Sequence, residues 1–380
     1  MFKPRLFIYV QNLLGIGHLR RAAAISRAAV EHGFDVAFVS GGMPIENLNI
    51  GGATFHQLPP VRALDGDFKV LVDDKNKEIN DLWRNHRRKV LINLFDKIQP
   101  QILLTELFPF GRRQFRFELI PLLEKAKKAK WHPQVVCSMR DILVTKPRED
   151  RNLEIAETVE TFYDKVLVHG DKQIITLAET FPLERRISHL IEYTGYVLTP
   201  SHIEDSGKGG TGEIVISAGG GAVGFETLPK IFHLKNKVSL NDRPWRFITG
   251  PHMPKEIYDE LKDTAKQGTI IERSRPDLPA VIQRADLSIS QAGYNTIAEI
   301  MSAGTPSVVI PYAGGVETEQ ALRANLLSKR GLLQVVDERQ LTAKMLDKAM
   351  LQALITIPTK KMSVNLEGAK LTATILKGLL

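Results

Sequence analysis

Short β-rich runs alternate with helix-length amphipathic segments from one end of this 380-residue chain to the other. No other feature restricts its fold as much. In the first half, residues 6–10, 35–40, 101–105, 134–139 and 165–169 read as buried strands. Residues 18–31, 75–97, 113–130 and 151–163 between them carry helical periodicity. The second half repeats the scheme, with strands expected at 213–217, 246–249, 269–272, 287–290, 307–311 and 333–336. Such alternation predicts parallel sheets with helices on both faces, built here twice. The polar, glycine-rich stretch 201–212 has no periodicity and sits where one series ends and the next begins. The expected organisation is a first domain over 1–200, a linker over 201–212, a second domain over 213–361 and a C-terminal helix over 362–380. Ligands of open parallel sheets bind beyond the carboxyl ends of the strands, so two such domains facing each other would feed one cleft from both sets of loops.

The length suits two domains of ordinary size. With 43% hydrophobic and 25% charged residues the composition is that of a soluble globular protein, which excludes a disordered tail, a collagen-like fibre and a membrane-spanning bundle. A single cysteine, Cys137, excludes an internal disulfide framework and a cysteine-based zinc site. The first apolar stretch, 6–10, is too short for the core of a signal peptide, and no run of about twenty apolar residues follows, so a cytoplasmic protein is expected. The formal charge of +8 is concentrated between 81 and 130, where twelve basic side chains face five acidic ones. Without a recognisable nucleic-acid-binding module, that excess points to solvated helix faces or to an anionic membrane surface.

The residues just after each strand are the candidates for chemistry. The first strand is followed by Gln11-Asn12-Leu13-Leu14-Gly15-Ile16-Gly17-His18-Leu19-Arg20-Arg21. Gly15 and Gly17 let the backbone turn sharply and approach a ligand. His18 falls near a helix N-terminus, where the dipole disfavours imidazolium. A neutral imidazole there can accept a proton, or it can simply cap or pack the helix. A third glycine is missing, so the loop is not a dinucleotide fingerprint. Glu106, the 109–113 turn, Arg140-Asp141 and His169-Gly170-Asp171 stand at other first-half strand ends, and with Arg21 they suit a polar acceptor, though Arg140 and Asp141 can also be a local ion pair. Asp65-Gly66-Asp67 has the look of a metal-binding pair but lies among turn residues, and no metal is expected.

In the second half, Gly219, Gly220 and Gly221 follow a strand and open a helix, a shape that can cradle phosphate or merely make a tight turn. Gly293, Tyr294, Asn295 and Thr296 do the same after the strand at 287–290, and their free amides would face an anion. Glu299, within that helix, can accept both protons of a vicinal diol. The loop after 307–311 supplies Glu319 and Gln320 for sugar hydroxyls.

Residues 285–331 resemble the nucleotide-sugar-binding domain of GT-B glycosyltransferases of the MurG-like, family 28 C-terminal type. The likeness runs from about 212 to 336; the first half shares mainly Gly15-Ile16-Gly17-His18. It implies an α/β GT-B fold, two Rossmann-like domains facing across a cleft. It implies an inverting, metal-independent transfer from a UDP-sugar to a hydroxyl of a lipid-linked or polysaccharide acceptor, with no cofactor. It further implies that Gly293 to Thr296 hold the diphosphate, Glu299 the ribose and the backbone near Ile271 the base. Glu319, Gln320 and Asn325 would meet the donor sugar, and His18 would be the general base. The chain departs from the group in two places. Gly-x-Gly-His-x-x-Arg, ending at Arg21, is also the loop of a nucleotide-sugar hydrolase of this architecture, so hydrolysis, or epimerisation, is the alternative expectation; a non-catalytic binding subunit is a third. Glu319-Gln320 replaces a pair of glutamines, which leaves the donor sugar open. The 109–113 turn and Arg140-Asp141 resemble predicted glycosyltransferases of surface or spore-coat polysaccharide. An acceptor of this class is a polyprenyl-linked lipid at the inner face of the cytoplasmic membrane. Arg84, Arg87, Arg88 and Lys89, beside Trp83, are the residues expected to meet its anionic surface.

Overall fold

The computed structural model describes every residue except 1–2, 14–15, 65–69, 144–147, 199–204, 219–225, 313, 315–318 and 357–363. The chain divides into two compact units, 1–199 together with 365–380, and 200–364.

The first unit is built on β1 (Arg5–Val10), α1 (Gly17–Glu31), β2 (Asp35–Ser40) and β3 (Thr54–Gln57), followed by the antiparallel hairpin β4 (Val61–Ala63) and β5 (Leu71–Asp73). Then come α2 (Asp81–Ile98), β6 (Ile102–Glu106), α3 (Arg116–Lys128), β7 (Gln134–Arg140), α4 (Glu149–Phe162), β8 (Lys165–His169), α5 (Glu184–Ile187) and β9 (Ile191–Tyr193). Seven strands form one parallel sheet in the order β3-β2-β1-β6-β7-β8-β9. Their interior residues, Phe7, Ile8, Leu103, Leu104, Val136 and Val166 among them, are fully buried, which is why the strands read as continuous apolar runs rather than alternating ones. The order reverses between β1 and β6, and that switch point is where a ligand crevice opens in such sheets.

Two expected elements differ. The helix anticipated over 75–97 starts at Asp81, because the Asn80 side chain accepts the Trp83 amide at 2.9 Å and caps it. Upstream, Asp73 accepts the Lys75 and Lys77 amides and holds a turn. Strands β3, β4, β5 and β9 were not legible: β3 has an exposed, short sequence, Thr-Phe-His-Gln, and no apolar run.

The second unit contains β10 (Ile214–Ser217), α6 (Thr227–Leu234), β11 (Trp245–Ile248), α7 (Lys255–Thr264), β12 (Thr269–Glu272) and α8 (Leu278–Arg284). It continues with β13 (Leu287–Ser290), α9 (Tyr294–Ala303), β14 (Ser307–Val309), α10 (Glu319–Lys329), β15 (Gln334–Val335) and α11 (Ala343–Ile355). Its six strands are parallel in the order β12-β11-β10-β13-β14-β15, with the reversal between β10 and β13. Residues 205–212, read as linker, are fastened to this unit. Ser206 donates to Asp277 at 2.5 Å, while Arg275 and Arg284 donate to the carbonyls of Lys208 and Gly209 at 2.9 and 3.0 Å.

The last helix, α12 (Gly368–Gly378), returns to the first unit and packs on α1. The Tyr196 amide donates to Asn365 O at 2.7 Å and the Gly368 amide to Tyr196 O at 3.1 Å. Gly195 makes this approach possible: its φ is +83°, and a Cβ there would stand 2.5 Å from the Asn365 side chain.

Candidate active site

In the first unit the switch point brings together the loop after β1 and the end of β6. His18 is the second residue of α1 and Glu106 the last of β6. His18 Nδ1 lies 2.7 Å from Glu106 Oε1, and Arg21 Nη2, one turn along α1, pairs with the same oxygen. Burial acts to raise the Glu106 pKa, but His18 and Arg21 outweigh it and hold the carboxylate well below its usual range. An ionised carboxylate only accepts, so the proton between the two groups belongs to Nδ1. The 3.2 Å approach of Arg21 Nη2 to Nδ1 is then a neighbour contact and not a hydrogen bond, since Nδ1 has no free lone pair. That tautomer leaves the lone pair on Nε2. Burial, above all, pushes the His18 pKa down to about 3; Glu106 pulls it up, and Arg112 and Arg140 push it down again. His18 is neutral at neutral pH.

A second histidine, fully buried, closes the strand two places beyond β6 in the sheet. His169, the last residue of β8, is joined to Ser138 Oγ at 2.7 Å and Thr194 Oγ1 at 2.8 Å. Burial, with Arg21 adding to it, lowers its pKa to about 3 as well. Both histidines therefore bind a proton far more readily in the unfolded chain, whose imidazoles titrate near 6.5. Between pH 6.5 and 3 the unfolded state holds more protons, so stability falls as the pH falls, by about 1.4 kcal/mol per unit for each histidine. His169→Asn is expected to flatten the decline of the melting temperature across this window; an unchanged slope would show that His169 is not buried neutral.

Gln11, in the loop after β1, is held from behind by Arg87. Arg87 is fully buried and donates to both Glu118 oxygens at 2.8 and 2.9 Å, to the carbonyls of Gly41 and Pro59 at 2.8 and 2.7 Å, and to Gln11 Oε1 at 2.6 Å. Tyr9 donates to Glu118 at 2.6 Å. Gly41 must be glycine, because a Cβ would sit 2.2 Å from the guanidinium. Arg87 is thus removed from the basic face expected to meet a membrane. Much of the remaining positive excess is also locally paired: Lys125 with Asp96, Arg116 and Arg113 with Glu154, Arg84 with Asp81.

Arg112 and Arg140 stand at the same edge as His18. Arg112 Nε donates to Gln11 O at 2.7 Å. Asp141 is fully buried, accepts from Tyr196 at 3.3 Å, and packs under Gly170, where a Cβ would come within 2.8 Å of it. It serves the fold of the strand ends. Gly17 is the first residue of α1; Gly15 and Asp65-Gly66-Asp67 lie outside the described residues.

In the second unit the loop after β13 sits at the switch point, and α10 holds it. Gln320 Oε1 accepts the amides of Ala292 and Tyr312 at 3.1 and 3.2 Å, tying the loop after β13 to the loop after β14. Arg323, fully buried, donates to Ala292 O at 3.0 Å and to Glu319 at 2.5 Å, and its guanidinium lies 5.9 Å from the centre of the Tyr294 ring. Glu319 and Gln320 are buried and shape the loop that Gly293 closes, whereas Asn325 is exposed and apart from them on α10. Gly293 caps α9 with φ −62°, ordinary for any residue, and a Cβ there would find its nearest neighbour at 3.8 Å. Neither backbone nor packing calls for glycine, so the open space on that side is what the missing side chain preserves. Asn295 and Glu299 are half-buried on α9, Tyr294 and Thr296 buried. Ile271 is half-buried on the edge strand β12. Gly219, Gly220 and Gly221 lie outside the described residues.

Sequence reasoning missed Gln291. It is 8% exposed, its Nε2 has no hydrogen-bond partner among the described residues, and it lines a hollow with Ser217 and Ala218 at the end of β10. A buried donor left open beside a helix N-terminus is suited to an oxyanion. Arg323 was also missed; its partners Ala292 and Tyr294 lie about thirty residues away, so the local sequence carries no signal for it. Among the described residues no three or more His, Cys, Asp or Glu side chains gather as a metal would need, and no helix is long and apolar enough to cross a membrane.

Residues 215–374 match the glycosyltransferase family 28 C-terminal domain. A curated relative from Desulfitobacterium hafniense (strain DSM 10664 / DCB-2), a UDP-N-acetylglucosamine--N-acetylmuramyl-(pentapeptide) pyrophosphoryl-undecaprenol N-acetylglucosamine transferase, is 40% identical over 132 residues, covering 33% of this chain and 35% of the relative. The same enzyme of Synechococcus elongatus is 33% identical over 113 residues, 26% of this chain and 32% of the relative. The match thus spans about a third of the length of these relatives. Over the whole fold, the chain is similar to the MurG structure of Acinetobacter baumannii, with a TM-score of 0.63, 14% identity, and 99% and 100% of the two chains covered. It is similar also to the glycotransferase of kitacinnamycin, with a TM-score of 0.64, 14% identity and 100% of both chains. At these identities the likeness shows a shared fold, the GT-B fold.

Proposed function

We propose, for a chain of GT-B fold whose residues 215–374 are those of a glycosyltransferase family 28 C-terminal domain, that it transfers a sugar from a UDP-sugar to an acceptor hydroxyl. The single observation that carries the reading is the His18–Glu106 pair at the switch point of the first unit, with Nε2 left as a proton acceptor. In this reaction the acceptor oxygen gives its proton to His18 Nε2 and forms a bond to the anomeric carbon. The bond from that carbon to the diphosphate breaks, and UDP leaves with the electron pair. One displacement inverts the anomeric centre. The amides from Gly293 to Thr296, the α9 dipole and the open Nε2 of Gln291 receive the charge that develops on the diphosphate. No metal is required by this arrangement of donors. The curated relatives act, by their names, on a pyrophosphoryl-undecaprenol acceptor, and a lipid-borne acceptor at a membrane surface is the corresponding reading here. Its contact face on α2 is then the exposed side that carries Leu82, 81% exposed, and Lys89 one heptad on, with Arg84 and Arg88 elsewhere on the same helix and Arg87 excluded.

The test is incubation with a panel of nucleotide sugars, with and without candidate acceptors, in the presence and absence of anionic vesicles. Acceptor-dependent loss of UDP-sugar supports transfer; free sugar released without an acceptor identifies a hydrolase; no consumption in any arm ends the enzymatic reading.

The ribose assignment has its own expected result. Glu299→Gln should weaken UDP binding by about 1–3 kcal/mol, the range for hydrogen bonds to a charged group, with little change in folding. Calorimetry giving wild-type affinity would remove Glu299 from the site.

A further inference from the structure

The donors assigned to a diphosphate in the second unit stand in loops that carry no cation of their own. Residues 218–226, 291–296 and 311–318, which follow β10, β13 and β14, contain neither lysine nor arginine. Among the described residues no side chain caps α9 at Gly293. Yet a full positive charge lies directly behind that turn. Arg323, on α10, is completely buried, and its Nη1 donates to Ala292 O at 3.0 Å. The carbonyl of Ala292 and the N–H of Gly293 are the two ends of one peptide group. A cation donating to the oxygen draws electron density away from the nitrogen, so the N–H at the far end becomes a stronger donor. The turn is also held in place: Gln320 Oε1 accepts the Ala292 amide at 3.1 Å, so both polar backbone groups of Ala292 are gripped from α10. The same guanidinium lies 5.9 Å from the ring centre of Tyr294, the first residue of α9.

The counter-charge is equally enclosed. Glu319 is 2% exposed and accepts from Arg323 Nη2 at 2.5 Å, one turn away on α10. A buried ion pair is a poor stabiliser, since apolar side chains of similar volume often do as well or better. What this pair adds to the turn is a field whose strength depends on how far Glu319 offsets Arg323.

We propose that Arg323 is a positioning residue that delivers its charge to the donor's diphosphate through the Ala292–Gly293 peptide, and that Glu319 sets how much of that charge arrives. The inference rests on the donor reading of the second unit. It supplies a positive field for the leaving group from a side chain buried behind the turn. In a buried setting the charge is little screened, and a fixed dipole needs no rearrangement as charge develops on the departing phosphate.

The experiment is calorimetric titration of UDP, inorganic pyrophosphate and uridine into the full chain, wild type and variants, with the Gly293 amide followed by NMR. Glu319→Gln leaves Arg323 its charge and takes away the acid that offsets it, so UDP and pyrophosphate should bind several-fold more tightly. Arg323→Gln together with Glu319→Gln keeps an amide donor for Ala292 O and removes the charge. Both ligands should then bind about tenfold more weakly than to Glu319→Gln alone, and the Gly293 amide proton should move upfield. Uridine, which has no phosphate, should bind every variant alike. UDP affinity unchanged by Glu319→Gln, or a double variant that binds UDP like Glu319→Gln, overturns the proposal. A parallel loss of uridine affinity, the mark of a damaged loop, overturns it too. Should the double variant melt abnormally, Glu319→Gln decides alone, because it leaves Arg323 in place. If wild type binds pyrophosphate but not UDP, the nucleotide reading fails, while the same variants titrated with pyrophosphate still decide this one. Wild type that binds neither ends both.

Discussion

His18→Ala is expected to lower turnover by about a hundredfold or more while leaving UDP affinity unchanged. The asymmetry follows from where the side chain sits. His18 belongs to α1 of the first unit, and the groups assigned to the nucleotide, Gly293 to Thr296 and Glu299, belong to α9 of the second. Removing the imidazole deletes the proposed proton acceptor and leaves the residues of α9 themselves unchanged. Glu106→Gln is expected to cost less than His18→Ala, because an amide oxygen can still accept from Nδ1 and hold the ring, though it no longer balances Arg21. Steady-state kinetics with calorimetry on the same samples checks both. Turnover surviving His18→Ala would place the base elsewhere, and a parallel loss of UDP affinity would mean that the substitution disturbs more than a proton transfer.

Arg87→Ala should destabilise the first unit by about 3–5 kcal/mol, the usual consequence of breaking a buried ion pair, and lower the melting midpoint by roughly 10 °C or more. The Glu118 carboxylate would remain fully buried with the Tyr9 hydroxyl as its one remaining side-chain donor among the described residues, while Gly41 O, Pro59 O and Gln11 Oε1 would each lose a donor. Arg87→Met combined with Glu118→Leu removes both charges and is expected to recover a good part of the loss. Differential scanning calorimetry separates the cases. If Arg87→Ala melts like wild type, the network contributes nothing, and if it merely loses vesicle binding with its stability intact, Arg87 belongs to the surface after all.

Arg87 also shows what a sequence conceals. In the run Arg84-Asn85-His86-Arg87-Arg88-Lys89 its neighbours are solvated, and nothing in the local pattern separates it from them. Its partner, Glu118, lies on another helix. Periodicity reports which face of a helix is apolar, not which cation finds an acid across the core. The parallel sheets were legible for the opposite reason: strands buried on both faces carry continuous apolar runs, such as 102–104 and 214–216, and announce themselves. His18 was legible because a glycine turn between a strand and a helix is local information. Its pairing with Glu106, 88 residues away, was not. Glu319 and Gln320 were found as residues, but the sequence suggested sugar hydroxyls, while the fold uses them on Arg323 and on the amides of Ala292 and Tyr312. Gln291, whose open donor is a matter of burial alone, gave no signal in the chain.

The return of α12 to the first unit has a consequence for how such chains can be recombined. Most of the segment matching the family domain, 215–374, folds within the second unit, yet its last ten residues lie in the first, with α12 against α1. A chimera that exchanges everything after the linker would import a foreign helix onto α1 and separate Asn365 and Gly368 from Tyr196. The second unit is therefore transplanted cleanly only as an insertion with two junctions, one before 205 and one near 364, so that the recipient keeps its own carboxyl terminus. Chimeras cut once should express poorly, and those cut twice should behave in the melt like the parent that supplies their first unit.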